Sequence, residues 1–104
     1  MRILVTGGAG FIGANLCALA LGSGHEVVVI DDLSTGNRDN VAELDVRFVA
    51  ASILDVDALA EAVEGVDSVV HLAALGSVPR SIKDPMATHE VNATGTLRVL
   101  EAAR

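Results

Sequence analysis

The sequence is poor in the residue types that build several common kinds of functional site. Its 104 residues include no tryptophan, no tyrosine and only two phenylalanines, and fourteen acidic residues outnumber seven basic ones. Nucleic-acid binding requires a basic surface and is usually supported by aromatic side chains, so we do not expect it here. His25, His71 and His89 are far apart and no Cys/His spacing resembles a set of metal ligands, so no metal site is predicted.

Cysteine and long hydrophobic runs are also scarce. Cys17 is the only cysteine, which excludes an internal disulfide, indicates a packed thiol and favours a cytoplasmic location. The longest apolar runs are far shorter than the roughly 18 residues that cross a bilayer, so we expect no membrane association. The chain enters a strand-like run at once, which argues against a signal peptide, and its length suits one small domain.

Glycine, in contrast, is concentrated near the beginning of the chain. The stretch TGGAGFIG, residues 6–13, places four glycines directly after an apolar run. Gly8, Gly10 and Gly13 satisfy the G-x-G-x-x-G pattern, and glycine lets a phosphate approach the backbone N–H groups of a turn. The pattern alone is weak, because glycine-rich turns also occur in loops that bind nothing.

The residues around this turn strengthen the interpretation. Apolar residues recur at helical spacing after it, at Ile12, Leu16, Leu19 and Ala20. A second apolar run then ends in Asp31, eighteen positions after Gly13, which is close to the roughly 20 expected for a carboxylate that accepts ribose hydroxyls. We therefore predict a dinucleotide-binding turn. The alternative is that the glycines only permit close packing of a helix on a strand.

The distribution of apolar runs predicts an α/β fold. Runs at 2–6, 26–31, 46–50 and 66–71 are nearly continuous, as expected for parallel strands covered on both faces. Helices are expected at 11–21, 38–44 and 55–64, and from Asp84 to the end of the sequence, with Pro85 in the first helical position. Right-handed crossovers then give a doubly wound sheet in the order 3-2-1-4, with a ligand crevice between strands 1 and 4.

Four segments, in this order, resemble the N-terminal part of the extended short-chain dehydrogenase/reductase family, and within it the NAD-dependent nucleotide-sugar 4-epimerases. They are TGGAGFIG (6–13), VVVIDDLSTGNRDN (27–40), HLAALGSVPRSIKDP (71–85) and NATGTLRVLEAAR (92–104). The resemblance spans nearly the whole chain. It implies that residues 1–104 form a single NAD-binding Rossmann-type half domain that stops before the fifth strand.

The resemblance also implies a set of cofactor-binding residues. Asp31 would hold the adenosine ribose, and because an acid repels a 2′-phosphate, NAD is favoured over NADP. The residues assigned to the glycine turn beside the pyrophosphate are Gly7, Gly10, Phe11, Ile12 and Gly13. Those assigned to the ribose and adenine are Asp32, Leu33, Ser34, Thr35 and Gly36, of which residues 34–36 could instead form an ordinary turn.

Two further segments are assigned to the cofactor. Leu72, Ala73 and Ala74 would pass along the nicotinamide side, or serve only as core packing. Ser52 and Ile53 would lie near the adenine, where the family usually has an aspartate in place of Ser52. Serine is shorter and uncharged, so the affinity for adenine is expected to be weaker.

Residues 76–81 resemble the substrate loop of 4-epimerases that act on UDP-hexoses and UDP-N-acetylhexosamines. Relatives that dehydrate dTDP-glucose usually carry His and Asp where this chain has SVP (77–79), so the resemblance favours a UDP-sugar. Ser77 and Ser81 would bond the sugar, or be solvated loop residues. Arg80 would bind a phosphate, or pair with a nearby acid. Asn92 would support the active site from behind, or be a surface polar residue.

The family's catalytic Tyr-x-x-x-Lys pair is missing from this sequence, which contains no tyrosine and only one lysine, Lys83. We therefore expect no catalytic residue in this chain, and cofactor binding without turnover. The outer edge of strand 4, with Val66, Val69 and Val70, would lie open and favour a homodimer or other self-association. The alternatives are a regulatory NAD-binding module, a structural fragment with vestigial binding, and a portion of a nucleotide-sugar dehydratase.

Overall fold

Four parallel β-strands form one sheet in the order β3-β2-β1-β4 in the computed structural model, which describes residues 1–34, 36–73 and 82–104. The strands are β1 (Arg2–Thr6), β2 (Glu26–Asp31), β3 (Arg47–Ala50) and β4 (Ser68–His71). In the register, Thr6 lies opposite Ile30 on one side and His71 on the other. The predicted fold and strand order are confirmed.

Helices cover both faces of this sheet. Helix α1 (Phe11–Gly22) contributes Cys17 and Ala20 to a core with Val5 and Val29 of the strands. Because side chains alternate along a strand, Leu4 and Val28 point to the opposite face. There they pack with Leu59 of helix α2 (Val56–Val63) and Val99 near the chain's end. Both faces of the central strands are therefore buried, which explains their continuous apolar sequence.

Of the four apolar positions that predict α1, Ala20 is buried and Leu16 packs partly buried against the core, whereas the other two are exposed. Ile12 and Leu19 are each 69% exposed, whereas Gly13, Cys17 and Ala20 are buried. A side chain at Gly13 would lie 2.7 Å from the Cα atom of Gly8, so only small residues allow this close approach. Since the helix is apolar nearly all round, its spacing predicts a helix without selecting the face that packs.

The last predicted helix is confirmed in position and corrected in form. The Asp84 side chain accepts a hydrogen bond from the Ala87 amide at 3.1 Å and caps α3 (Pro85–His89). A π-helical turn (Glu90–Gly95) follows, and α4 (Thr96–Ala103) completes the segment. Residues 92–95, NATG, include weak helix formers, and Gly95 lets the Ile53 side chain approach the backbone closely.

The other two predicted helices differ in regularity. Helix α2 begins as expected, because the Asp55 side chain accepts from the Ala58 amide at 3.1 Å. The expected helix at 38–44 is instead a 3₁₀ turn (Arg38–Val41), preceded by Asn37, whose side chain accepts from the Asp39 amide. No helix within the described ranges is long and apolar enough to cross a membrane.

Candidate functional site

A crevice lies where the carboxyl ends of the strands meet. Counted together with its wide open mouth, the crevice holds about 530 Å³ of empty space. Nine of the residues predicted from the sequence line it: Gly7, Gly10, Asp31, Asp32, Ser34, Ser52, Ile53, Leu72 and Ala73. Ile30, Ala51 and Val91 also line it and were not predicted. Predicted residues therefore form most of the wall of this crevice.

The remaining predicted residues fall into two groups. Five are described and do not line the crevice, namely Phe11, Ile12, Gly13, Leu33 and Gly36. Five others, Thr35, Ala74, Ser77, Arg80 and Ser81, lie outside the described residues. Asn92 lies in the π-helical turn, one residue from the lining residue Val91, and its backbone carbonyl accepts from the Thr96 hydroxyl at 2.8 Å. The proposed substrate loop therefore has no structural description.

The Asp31 carboxylate is held rigidly in the crevice wall. It ends β2, is 8% exposed, and accepts from the Ala9 amide at 2.9 Å and from the Leu33 amide at 2.7 Å. Leu33 adopts a left-handed conformation with φ of 64°, which costs roughly 1–2 kcal/mol for a non-glycine residue. Each carboxylate oxygen accepts one bond from the backbone and retains lone pairs for a ligand hydroxyl.

The glycines of residues 7–13 serve two different purposes. Gly7 has φ of 71°, and a side chain there would lie 2.9 Å from the Ala73 amide. A side chain at Gly8 would lie 2.7 Å from Val29, and Gly13 is equally constrained by the turn itself. Gly10 differs, because an added Cβ would meet no atom of the described residues closer than 3.5 Å, its two chain neighbours aside. Packing therefore requires Gly7, Gly8 and Gly13. Gly10 lines the crevice and leaves space that the described residues do not fill.

The N-terminus of α1 opens beside this space and suits an anion. Gly10 occupies the N-cap position, with no side-chain cap and no acidic residue in the first turn. The amides of Phe11, Ile12 and Gly13 donate to no acceptor within the described part of the chain. Unpaired amides and the positive end of a twelve-residue helix dipole attract a phosphate group.

A hydrogen-bond chain that the sequence analysis missed supports the other wall. The buried Thr6 hydroxyl accepts from the Leu72 and Ala73 amides at 2.9 and 3.1 Å, and lies 2.6 Å from Nδ1 of His71. Nε2 of His71 lies 2.9 Å from the Thr96 hydroxyl, which donates to a backbone carbonyl. Nε2–H must therefore be the donor and Nδ1 the acceptor, so the neutral imidazole fits this arrangement.

Burial lowers the pKa of His71 from its usual value of 6.5, in agreement with a neutral ring. The sequence did contain a signal for this network. Thr6 and His71 are polar residues at the ends of two apolar runs, and the predicted strand order places those ends side by side.

The fold is a Rossmann-type dinucleotide-binding fold. Its defining features are a parallel sheet in the order 3-2-1-4, a glycine turn after the first strand and an acidic residue at the end of the second. The model of the NAD dependent epimerase/dehydratase family matches residues 3–104. The chain belongs to this family, as its resemblance to the extended short-chain dehydrogenases predicted.

Individual relatives agree with this assignment. The chain is 46% identical to a UDP-glucose 4-epimerase from Mycolicibacterium smegmatis, over 100% of this chain and 35% of that protein. The structure of a UDP-glucose 4-epimerase from Thermus thermophilus in complex with NAD matches with a TM-score of 0.89 and 43% identity, over 98% of this chain and 33% of its own.

A dTDP-glucose 4,6-dehydratase from Streptomyces venezuelae, solved with NAD bound, matches with a TM-score of 0.90 and 42% identity, over 99% of this chain and 35% of its own. This chain therefore spans about a third of the length of each of these three relatives.

Proposed function

We propose that this chain binds NAD in the crevice, as the cofactor-binding portion of a nucleotide-sugar 4-epimerase. The observation that carries the proposal is Gly10. The packing of the described residues tolerates a side chain there, since the nearest of their atoms is 3.5 Å from an added Cβ, yet the position is a glycine and it lines the crevice. A ligand that lies against the bare backbone accounts for this better than the fold does.

The geometry supports a specific orientation of the cofactor. The Asp31 carboxylate accepts hydrogen bonds from the adenosine ribose hydroxyls. The amides at the start of α1 donate hydrogen bonds to the pyrophosphate. Phe11 does not line the crevice, but it is 83% exposed at the first helical position, beside these amides, and would contact the pyrophosphate from outside. The nicotinamide side lies towards Leu72 and Ala73, whose backbone amides are fixed by the Thr6 hydroxyl.

In the complete parent enzyme, NAD supplies a transient acceptor for hydride during inversion at the sugar 4-position. The residues of this chain bind and orient the cofactor. Since the sequence contains no tyrosine, it lacks the acid/base pair of the family, and we propose that this chain alone binds NAD without turnover. A non-catalytic regulatory module remains the alternative, and it requires a stable, monomeric chain that responds to ligand.

The proposed substrate of the parent is a UDP-hexose or UDP-N-acetylhexosamine. The sequence of residues 76–81 and the similarity to UDP-glucose 4-epimerases support this class, with Ser77, Arg80 and Ser81 as the substrate-binding residues. A nucleotide-sugar dehydratase is the second candidate, because the Streptomyces venezuelae dehydratase is as similar as the epimerase structure. Assaying the full-length parent with UDP-glucose and with dTDP-glucose separates these two candidates.

We further propose that β4 self-associates. β4 pairs with β1 on one side, and no strand within the described residues pairs with its other edge. An open edge is a template for a second chain. Sedimentation velocity over a range of protein concentrations tests this, and a monomer at every concentration would contradict it.

A matched pair of glycine variants tests NAD binding. Gly10→Ala places a methyl group in the crevice, whereas Gly22→Ala places one at the far end of α1, with nothing within 4 Å. We expect Gly10→Ala to weaken NAD binding at least about tenfold with a stability cost near 1 kcal/mol at most. Gly22→Ala should bind NAD as the unmodified chain does. Equal NAD affinity in the two variants would remove the principal support for the proposal.

A further inference from the structure

The backbone of Ala9, in the middle of the glycine turn, is clamped by the segment that follows β2. Ala9 is fully buried, and its amide donates to the Asp31 carboxylate at 2.9 Å. Its carbonyl accepts two bonds, from the side-chain amide of Asn40 at 2.7 Å and from the backbone amide of Asn37 at 3.1 Å. Gly36 packs on the same carbonyl, so closely that a Cβ there would lie 2.9 Å from it.

This clamp determines the orientation of the peptide group that precedes α1. The Ala9 carbonyl and the Gly10 amide belong to one planar trans peptide and point in opposite directions. With the carbonyl held towards Asn40, the Gly10 amide points to the Gly7 carbonyl at 3.2 Å. If the peptide rotated, the Ala9 carbonyl would turn away from Asn40 and towards the Gly7 carbonyl, on the side of two residues that line the crevice, Gly7 and Gly10. Its partial negative charge would then repel an anion at the helix N-terminus.

We propose that Asn40 is a positioning residue for the diphosphate of the bound dinucleotide. Asn40 does not line the crevice and acts through the Ala9 carbonyl. Its amide donor keeps the Ala9–Gly10 peptide in the orientation that turns the Ala9 carbonyl away from the diphosphate, which the amides at the start of α1 receive. This inference rests on the proposed function and assigns a role to a residue that the sequence analysis did not select.

Two Asn→Asp variants in the same turn form a matched test. Asn40→Asp removes the donor to the Ala9 carbonyl. Asn37→Asp adds the same charge three residues away and keeps its own bond, because the Asn37 side chain is an acceptor, from the Asp39 amide at 2.9 Å. Both variants are measured by NMR titration with NAD, ADP and adenosine, at low and high salt to screen the added charge.

We expect NAD and ADP to bind about five- to tenfold more weakly to Asn40→Asp than to Asn37→Asp, as the loss of one hydrogen bond implies. Adenosine, which carries no phosphate, should bind both variants equally. Equal NAD affinity in the two variants would overturn the proposal. A parallel loss of adenosine affinity would also overturn it, because Asn40 would then maintain the whole site rather than its diphosphate part.

Hydrogen exchange of the Gly10 amide gives a readout that does not depend on NAD. We expect faster exchange in Asn40→Asp than in Asn37→Asp, since the rotated peptide breaks the bond to the Gly7 carbonyl. If the unmodified chain failed to bind NAD, the proposed function would fail. The exchange rates of the two variants would still show whether Asn40 holds the Ala9–Gly10 peptide in place. Identical exchange rates would overturn it.

Discussion

Replacing Thr6 with valine should destabilise the chain strongly, although the two side chains have nearly the same shape. Thr6 is 0% exposed, and its hydroxyl bonds the Leu72 amide, the Ala73 amide and Nδ1 of His71. In Thr6→Val the Leu72 amide keeps a second acceptor, the Thr6 carbonyl at 3.1 Å. The Ala73 amide and the His71 nitrogen lose the partners described here.

The cost follows from these two unpaired groups. A buried polar group without a partner costs about 1–3 kcal/mol, and because His71 and Ala73 are only half-buried, water reaches both in part. We therefore expect a loss of about 2–3 kcal/mol, a large share of the ~5–15 kcal/mol that stabilises a typical protein. With a urea m-value of about 1–2 kcal/mol/M, the unfolding midpoint should fall by roughly 1–3 M.

The assay is urea unfolding followed by circular dichroism, because the chain has no tryptophan to report by fluorescence. Thr88→Val is the matched control. The Thr88 hydroxyl is buried and has no hydrogen-bond partner among the residues that the structure describes. The same substitution there should leave the midpoint unchanged or raise it. Equal midpoints for the two variants would refute the reasoning about the Thr6 network.

Three further outcomes follow from the structure. Because burial lowers the pKa of His71, the contribution of the neutral ring to stability is complete above pH ~6.5 and is lost as the pH falls below that value. Urea midpoints at successive pH values should show this loss, and the His71→Gln variant should not show it. Burial raises the pKa of Cys17 to about 11, so a thiol reagent at neutral pH should modify it only after unfolding, and rapid labelling of the folded chain would contradict this. Gly13→Ala should cost about 1–3 kcal/mol by urea unfolding, because its Cβ would overlap Gly8, whereas a fully stable variant would show that the turn can yield.

The strands and their order could be predicted because each depends on a local pattern and a general rule of handedness. Continuous apolar runs mark buried parallel strands, and right-handed crossovers leave few arrangements. The start of β4 was predicted two residues early, at Val66 instead of Ser68. Asp67 bonds the backbone of Arg2 with both its amide and its side chain, which places it before the regular pairing.

The contacts that shape the site could not be predicted in the same way. Asn40 lies 31 residues from Ala9 in the sequence, and Thr6 lies 65 residues from His71. The first pair follows from no period or motif, because it depends on where two loops lie in space, and the second becomes visible only once the strand order places the ends of β1 and β4 side by side. The glycines illustrate the same limit, because ligand binding and close packing predict the same residue type, and only the surroundings of Gly10 separate the two explanations.

The most direct test of the account is calorimetric titration of this chain with NAD and with NADP, beside an Asp31→Asn variant. The account predicts that NAD binds, that NADP binds at least about tenfold more weakly because the Asp31 carboxylate repels a 2′-phosphate, and that the variant loses this preference. No binding of NAD to a chain that unfolds cooperatively in urea would contradict the central claim that these residues form a working dinucleotide site.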